Sequence, residues 1–195
     1  MADCINKLTS NISYDCSPSG RARAGIETTA VLVNKSDIDL TALTSTGATV
    51  TNLTLKNGAS GYKIDWIKQL GNTASEFTPN DSGVDTFSHS FACRVFGQTA
   101  DDSERIKELS GGEFVVVVES KFKGTANADA FKVFGVENGL RMSEGSFTSL
   151  ENDGSFLFTL ASQEGYGESY PWQVLLETSY TATKTKFDAL FAQGS

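Results

Sequence analysis

His89 is the only imidazole in the 195 residues, and Cys4, Cys16 and Cys93 are the only thiols. A hydrolytic triad needs a base within hydrogen-bond reach of a nucleophile. His89 is the only conventional base, yet no Gly-x-Ser-x-Gly elbow accompanies it. The cysteines are odd in number and lack Cys-x-x-Cys spacing, so neither a disulfide framework nor a zinc site is expected. Two carboxylate pairs stand out, Asp37/Asp39 and Asp101/Asp102. Glycoside hydrolysis needs two acids facing each other across a cleft, which neighbouring positions do not supply. Asp101 or Asp102 suits a helix cap, and Asp37/Asp39 reads as a turn. No phosphate-binding glycine loop, dinucleotide fingerprint or calcium loop is present. The expectation is a protein that is not an enzyme, with no catalytic, cofactor or metal residues.

The elements around these residues read as a β-rich fold. "IETTAVLVN" (26–34) is a β-branched first strand. A hairpin is expected within 40–60, where Val50, Leu53 and Leu55 fall in a Thr-rich strand. "YKIDWI" alternates, with Tyr62, Ile64 and Trp66 on one face. "NTASEFTPNDSG" reads as a loop or an edge region. "VDTFSHSFACRVFG" (84–97) places His89 on the same face as Phe87, Phe91, Cys93 and Val95, where a structural histidine is expected. "TADDSERIKELSGG" is the clearest helix, with Ile106 and Leu109 toward a core and Gly111-Gly112 as a left-handed stop. "EFVVVVESKF" (113–122) is apolar on both faces, as in a strand between two packed layers.

Residues 113–162 read as an antiparallel meander of about four strands. Asn138-Gly139 is its strongest hairpin signal, and Asn152-Asp153-Gly154 serves the next pair. The tail "SYTATKTKFDALFAQ" reads as a helix capped by Thr181 or Thr183, with Phe187, Leu190 and Phe191 as its apolar stripe. Between them lies the aromatic "GYGESYPWQVLLETSY". Tyr166, Tyr170 and Trp172 could stack on sugar rings, but the favoured reading has Trp172 and Leu175-Leu176 closing the core while Pro171 fixes a turn. Together these elements imply an N-terminal arm (1–25) and a single β-rich domain (26–195), mainly β, an antiparallel sandwich or barrel with one or two flanking helices.

A formal charge of −8 argues against a nucleic-acid-holding face, because phosphate binding needs a basic stripe and "SGRARAG" is the only local basic cluster. No apolar run approaches the length of a membrane span, and "MADCINKLTSN" lacks a secretory layout, so synthesis and folding in a cytoplasm are expected. Asn-x-Ser/Thr triplets at Asn11, Asn34, Asn52 and Asn80 carry no weight in so Thr- and Ser-rich a chain.

The Cys-containing arm, the glycine before "IETTAVLVNKSDID" and the final third "FKVFGVENGLRMSEG…GSFLFTLASQEGYGESYPW" together resemble virion structural proteins of phages and prophages of gut Bacteroidales, including the crAss-like group, many of them tail-tube-like. The resemblance covers most of the chain in layout. It implies a sandwich or barrel of the tail-tube type that assembles into hexameric or dodecameric rings around the DNA-ejection channel. It also implies a virion location in the tail, and as partners further copies of the chain and adjacent tail or neck proteins. DNA would pass without sequence-specific binding. A capsid decoration or head-fibre protein and a host-surface carbohydrate-binding module are the alternatives.

Overall fold

A computed structural model describes residues 8–192, with 69 and 82 excepted. Cys4, the first seven residues of the arm and the last three of the chain lie outside the described residues. Among the described residues, two sheets, two α-helices and three short 3-10 turns make up the fold. The seven-stranded sheet runs in the order β2 (Thr44–Thr46), β3 (Thr49–Asn52), β11 (Gln173–Leu175), β8 (Phe131–Phe134), β7 (Phe114–Ser120), β1 (Ile26–Asn34), β4 (Tyr62–Asp65). The four-stranded sheet runs β5 (Asn72–Thr78), β6 (Thr86–Val95), β10 (Phe156–Ala161), β9 (Arg141–Phe147). All pairings are antiparallel except β11 with β3. The mainly β sandwich with flanking helices expected from the pattern is therefore what forms.

The seven-stranded sheet is the middle layer, and β7 shows why. All seven of its residues are buried. Val115 and Val117 enter one core with Val31, Val33, Phe131 and Phe187, whereas Val116 and Val118 enter the other with Leu32, Phe91, Phe134 and Phe158. A strand covered on both faces has no use for alternation, hence the unbroken valine run. Each buried Val or Phe side chain contributes about 1.5–3 kcal/mol relative to exposure. In the core between the sheets, Phe91 sits 5.9 Å from Trp66 and 6.1 Å from Phe158, ring centre to ring centre. The second core is closed by α2 (Tyr180–Asp188), whose Phe187 and Tyr180 lie against Phe131.

Both helices are where the sequence places them, but their ends differ. In α1 (Ala100–Gly111) the cap is Thr99, not Asp101 or Asp102: its hydroxyl accepts from Asp102 N while Asp102 reaches back to Thr99 N at 2.9 Å. This reciprocal capping box uses the threonine two positions ahead of the first acid. Gly112 leaves the helix in an extended conformation (φ −89°, ψ 169°), so the expected left-handed glycine stop does not form. In α2 the cap is Ser179, which accepts from Ala182 N at 3.2 Å; Thr183 is buried one turn on and donates to Ser179 O. The helix stops at Asp188, and Leu190 and Phe191 both take positive φ, which folds the Phe191 ring into the core.

The four-stranded meander is also corrected. β7 pairs with β8 and β9 with β10, but β8 and β9 belong to different sheets. Asn138-Gly139 is thus a crossover between layers rather than a hairpin. Only Gly139 has positive φ, and Asn138 is held by other partners: its N–H donates to Glu168 and its amide to Gly167 O. A type I′ turn needs positive φ at both central residues, and this side-chain clamp holds Asn138 out of it. Asp153 and Gly154 do take positive φ, in the connection between the paired strands β9 and β10.

Candidate functional site

His89 is sealed inside the sandwich at 1% exposure, and both ring nitrogens are bound to main chain. Nε2 donates to Tyr170 O at 2.8 Å, and Nδ1 accepts from Gly135 N at 3.2 Å, which together define the neutral Nε2–H tautomer. The Phe134 ring meets the imidazole edge-on at 5.2 Å. Gly135 can present its N–H because it has φ +76°, and a Cβ there would fall 2.8 Å from Leu140 Cγ. His89 therefore fastens two loops to β6, with no nitrogen left for acid–base work in this arrangement.

Beside it lies a carboxylate that pattern reading passed over. Glu168, 2% exposed, accepts from Glu137 N at 2.8 Å and Asn138 N at 2.9 Å. Its own backbone pairs with Phe87 in both directions. Glu137 returns the contact by accepting from Ser169 N and its hydroxyl. Lys35 donates to the carbonyls of Val136 and Glu137. Burial lowers the Lys35 ammonium pKa, and the carboxylates of Glu168, Glu113 and Glu137 pull it partly back. The segment 163–172 is thereby riveted to β6 and to the 135–139 crossover.

Three of the four paired carboxylates have local partners, with Asp102 in the capping box of α1. Asp39 accepts from the N–H and hydroxyl of Thr41, bonds that hold its carboxyl below the usual range, and Asp37 accepts from Asn34 Nδ2. Among the described residues no group of three or more His, Cys, Asp or Glu could hold a metal ion. Burial pushes the Cys93 thiol up to about 12, whereas Cys16 is exposed. Because only the thiolate alkylates, iodoacetamide at about pH 8 should label Cys16 in the native protein and reach Cys93 only after denaturation. Peptide mapping reads this directly, and equal native labelling at both would contradict the packing around Cys93.

The aromatic segment divides differently from expectation. Leu175 is fully buried, but Trp172 is 51% exposed and does not close the core. It follows β10 on the loop held by Glu168 and immediately precedes β11, with its ring beside Lys132, whose Nζ lies 6.0 Å from the ring centre.

The edge strands of the seven-stranded sheet are short, three residues in β2 and four in β4. Those of the four-stranded sheet, β5 and β9, run seven residues each and contain neither proline nor lysine. Short, charged, bulged, helix-covered or proline-broken edges block intermolecular pairing. The seven-stranded sheet is therefore the better protected and the four-stranded one the more open, although β9 carries Arg141 and Glu144, a bulge opposite Thr159 and Leu160, and α1 at its flank. At diagonally opposite corners of the open sheet stand exposed Phe77, paired with Phe87, and exposed Phe147, paired with Phe156. Along β6 and β10 the residues between the core positions, among them Ser88, Ser90, Ala92, Thr159 and Ala161, enter neither core. Helix α1 flanks β9 across a shallow groove of about 540 Å3, lined by Ile106, Met142 and Phe156 among others. No described helix is long and apolar enough to cross a membrane. No family model, no curated protein and no solved structure matches the chain.

Proposed function

We propose that the chain is a structural subunit that builds rings by continuing its four-stranded sheet from copy to copy, as a tail-tube or tail/neck ring protein of a bacteriophage virion. The observation that carries this reading is the pair of seven-residue edges on one sheet, neither of them shortened or broken by proline. Four antiparallel strands leave β5 and β9 running in opposite directions. A neighbour's β5 laid beside β9 therefore extends the antiparallel alternation without inverting the subunit. Such head-to-tail contacts close into a ring when the rotation permits. The net charge of −8 suits a wall past which DNA slides, since lysines and arginines would grip phosphates.

Size-exclusion chromatography with light scattering, followed by negative-stain microscopy of the full chain, tests this reading. Rings or stacked rings of constant subunit number are expected. A strict monomer at every concentration, with no tail or neck partner restoring assembly, would overturn it. A carbohydrate-binding module is the second reading, favoured by the exposed Trp172; a flat response of its fluorescence to oligosaccharides removes it.

A further inference from the structure

A second feature lies away from the open edges, where the first residues of β5 cross over the ends of β1, β7 and β8. A cavity of about 180 Å3 opens there, lined by Arg23, Gly25, Ile26, Gly71, Asn72, Thr73, Ser120 and Lys132. At roughly 30 Å3 per water it holds a ligand of several heavy atoms. Both charged residues in the lining are basic, in a chain whose balance is strongly acidic. The polar remainder, Asn72, Thr73 and Ser120, brings side chains that can donate hydrogen bonds.

Lys132 is the unusual member. It sits in "FKVF", on a strand whose other three residues are buried, and its cross-strand neighbours are Val118 and Val174. Among the described residues its ammonium has no hydrogen bond and no ion pair; it rests between the rings of Phe122 at 5.8 Å and Trp172 at 6.0 Å. Burial lowers its pKa, opposed only by the charge of Asp129. A half-buried cation without a counter-ion is destabilising in the free protein, and an anion that supplies the missing oxygens would relieve it. Arg23 brings a planar fork suited to a carboxylate or phosphate, and likewise has no ion pair among the described residues.

We propose that this cavity binds the oxyanion group of a small ligand, a phosphate or a carboxylate, between Lys132 and Arg23. Arg23 belongs to the arm, which is tied to the sheet next to this point by Lys121 N donating to Gly25 O at 3.0 Å. Binding therefore also fixes the end of the arm onto the ends of β1 and β7. The inference does not rest on ring assembly and would hold for a monomer.

Trp172 is the reporter, since its ring shares the Lys132 ammonium with the ligand. Its fluorescence and the thermal midpoint are followed while inorganic phosphate or citrate is added, with sodium chloride matching ionic strength. A saturable response to phosphate alone identifies a tetrahedral anion, to citrate alone a carboxylate; either supports the site. Lys132→Met should weaken the response at least tenfold while raising the midpoint of the ligand-free protein, because it removes a half-buried charge offset only by two ring faces and by Asp129. That gain guards against loss of binding through misfolding. Arg23→Ala should weaken binding with the midpoint unchanged, and Trp172→Phe should abolish the optical signal but keep the thermal one. No saturable response to either anion, or an undiminished response in Lys132→Met, overturns the proposal.

Discussion

Glu168→Ala is expected to be among the most destabilising single changes away from the hydrophobic core, lowering stability by about 3 kcal/mol or more, since hydrogen bonds to a charged group contribute roughly 1.5–3 kcal/mol each and two are lost. For a chain of this size that corresponds to a drop of about 6–12 °C in the thermal midpoint. The carboxylate joins three pieces of chain that are distant in sequence: the 163–172 segment that carries it, β6 through its backbone, and the N–H groups of Glu137 and Asn138. Removing it leaves those two donors unpaired in a part-buried site and strips the Lys35 ammonium of its principal compensating charge. Glu168→Gln fares little better, because the amide turns a donor toward one of the two N–H groups. Glu137→Ala is the control. Its exposed carboxylate makes the mirror-image contacts to Ser169, and its loss should cost under about 1 kcal/mol. A calorimetric change in Glu168→Ala no larger than in Glu137→Ala would show that the clamp is not needed for stability.

The fate of Asn138 shows what local pattern can and cannot carry. β6 is legible because its burial alternates, and β1 and β7 because their unbroken apolar runs announce two-sided packing. Asn138-Gly139 has the residue types of a tight hairpin, but what decides its conformation is a carboxylate 30 positions away in sequence. No window on the sequence contains both. The same holds for Trp172: its position next to the buried Gln173–Leu175 run suggests burial, yet it lies at the edge of the layer, and burial there depends on what packs above it. His89 was readable as a buried strand residue; that its two nitrogens hold Tyr170 and Gly135 was not, since both partners are main chain and main chain leaves no mark on composition. Lys132 did leave one, a lone charge inside "FKVF". The open edges were legible only in part, because "NTASEFT" mixes Thr73, Phe77 and Thr78 with strand-poor Asn, Ala and Glu and becomes a strand through its seven-residue pairing with β6.

On the proposed ring assembly, Phe147→Asp and Phe77→Asp should each prevent ring formation while leaving the subunit folded, and the two together reveal how the subunits meet. Both rings are more than half exposed, so truncating either removes little core; Phe77 loses its edge-on contact with Phe87, worth about 0.5–1.5 kcal/mol. In an interface, losing an aromatic anchor typically costs about 2 kcal/mol or more. That is roughly a 30-fold weakening of every contact in the proposed ring. The informative experiment is the mixture. In a head-to-tail arrangement each copy offers β9 with Phe147 to the β5 and Phe77 of the next. A Phe147→Asp subunit then keeps a working β5 edge, and a Phe77→Asp subunit keeps a working β9 edge. Mixed, the two should form a heterodimer of one copy each and stop, since both remaining edges of that dimer are spoiled. An isologous contact, β9 on β9 or β5 on β5, gives the opposite pattern: one mutant alone dimerises as readily as the parent, and mixing adds nothing. Native mass spectrometry with one subunit isotope-labelled distinguishes these outcomes in a single spectrum. Rings that persist in both mutants would mean that the four-stranded sheet is not the seam between copies.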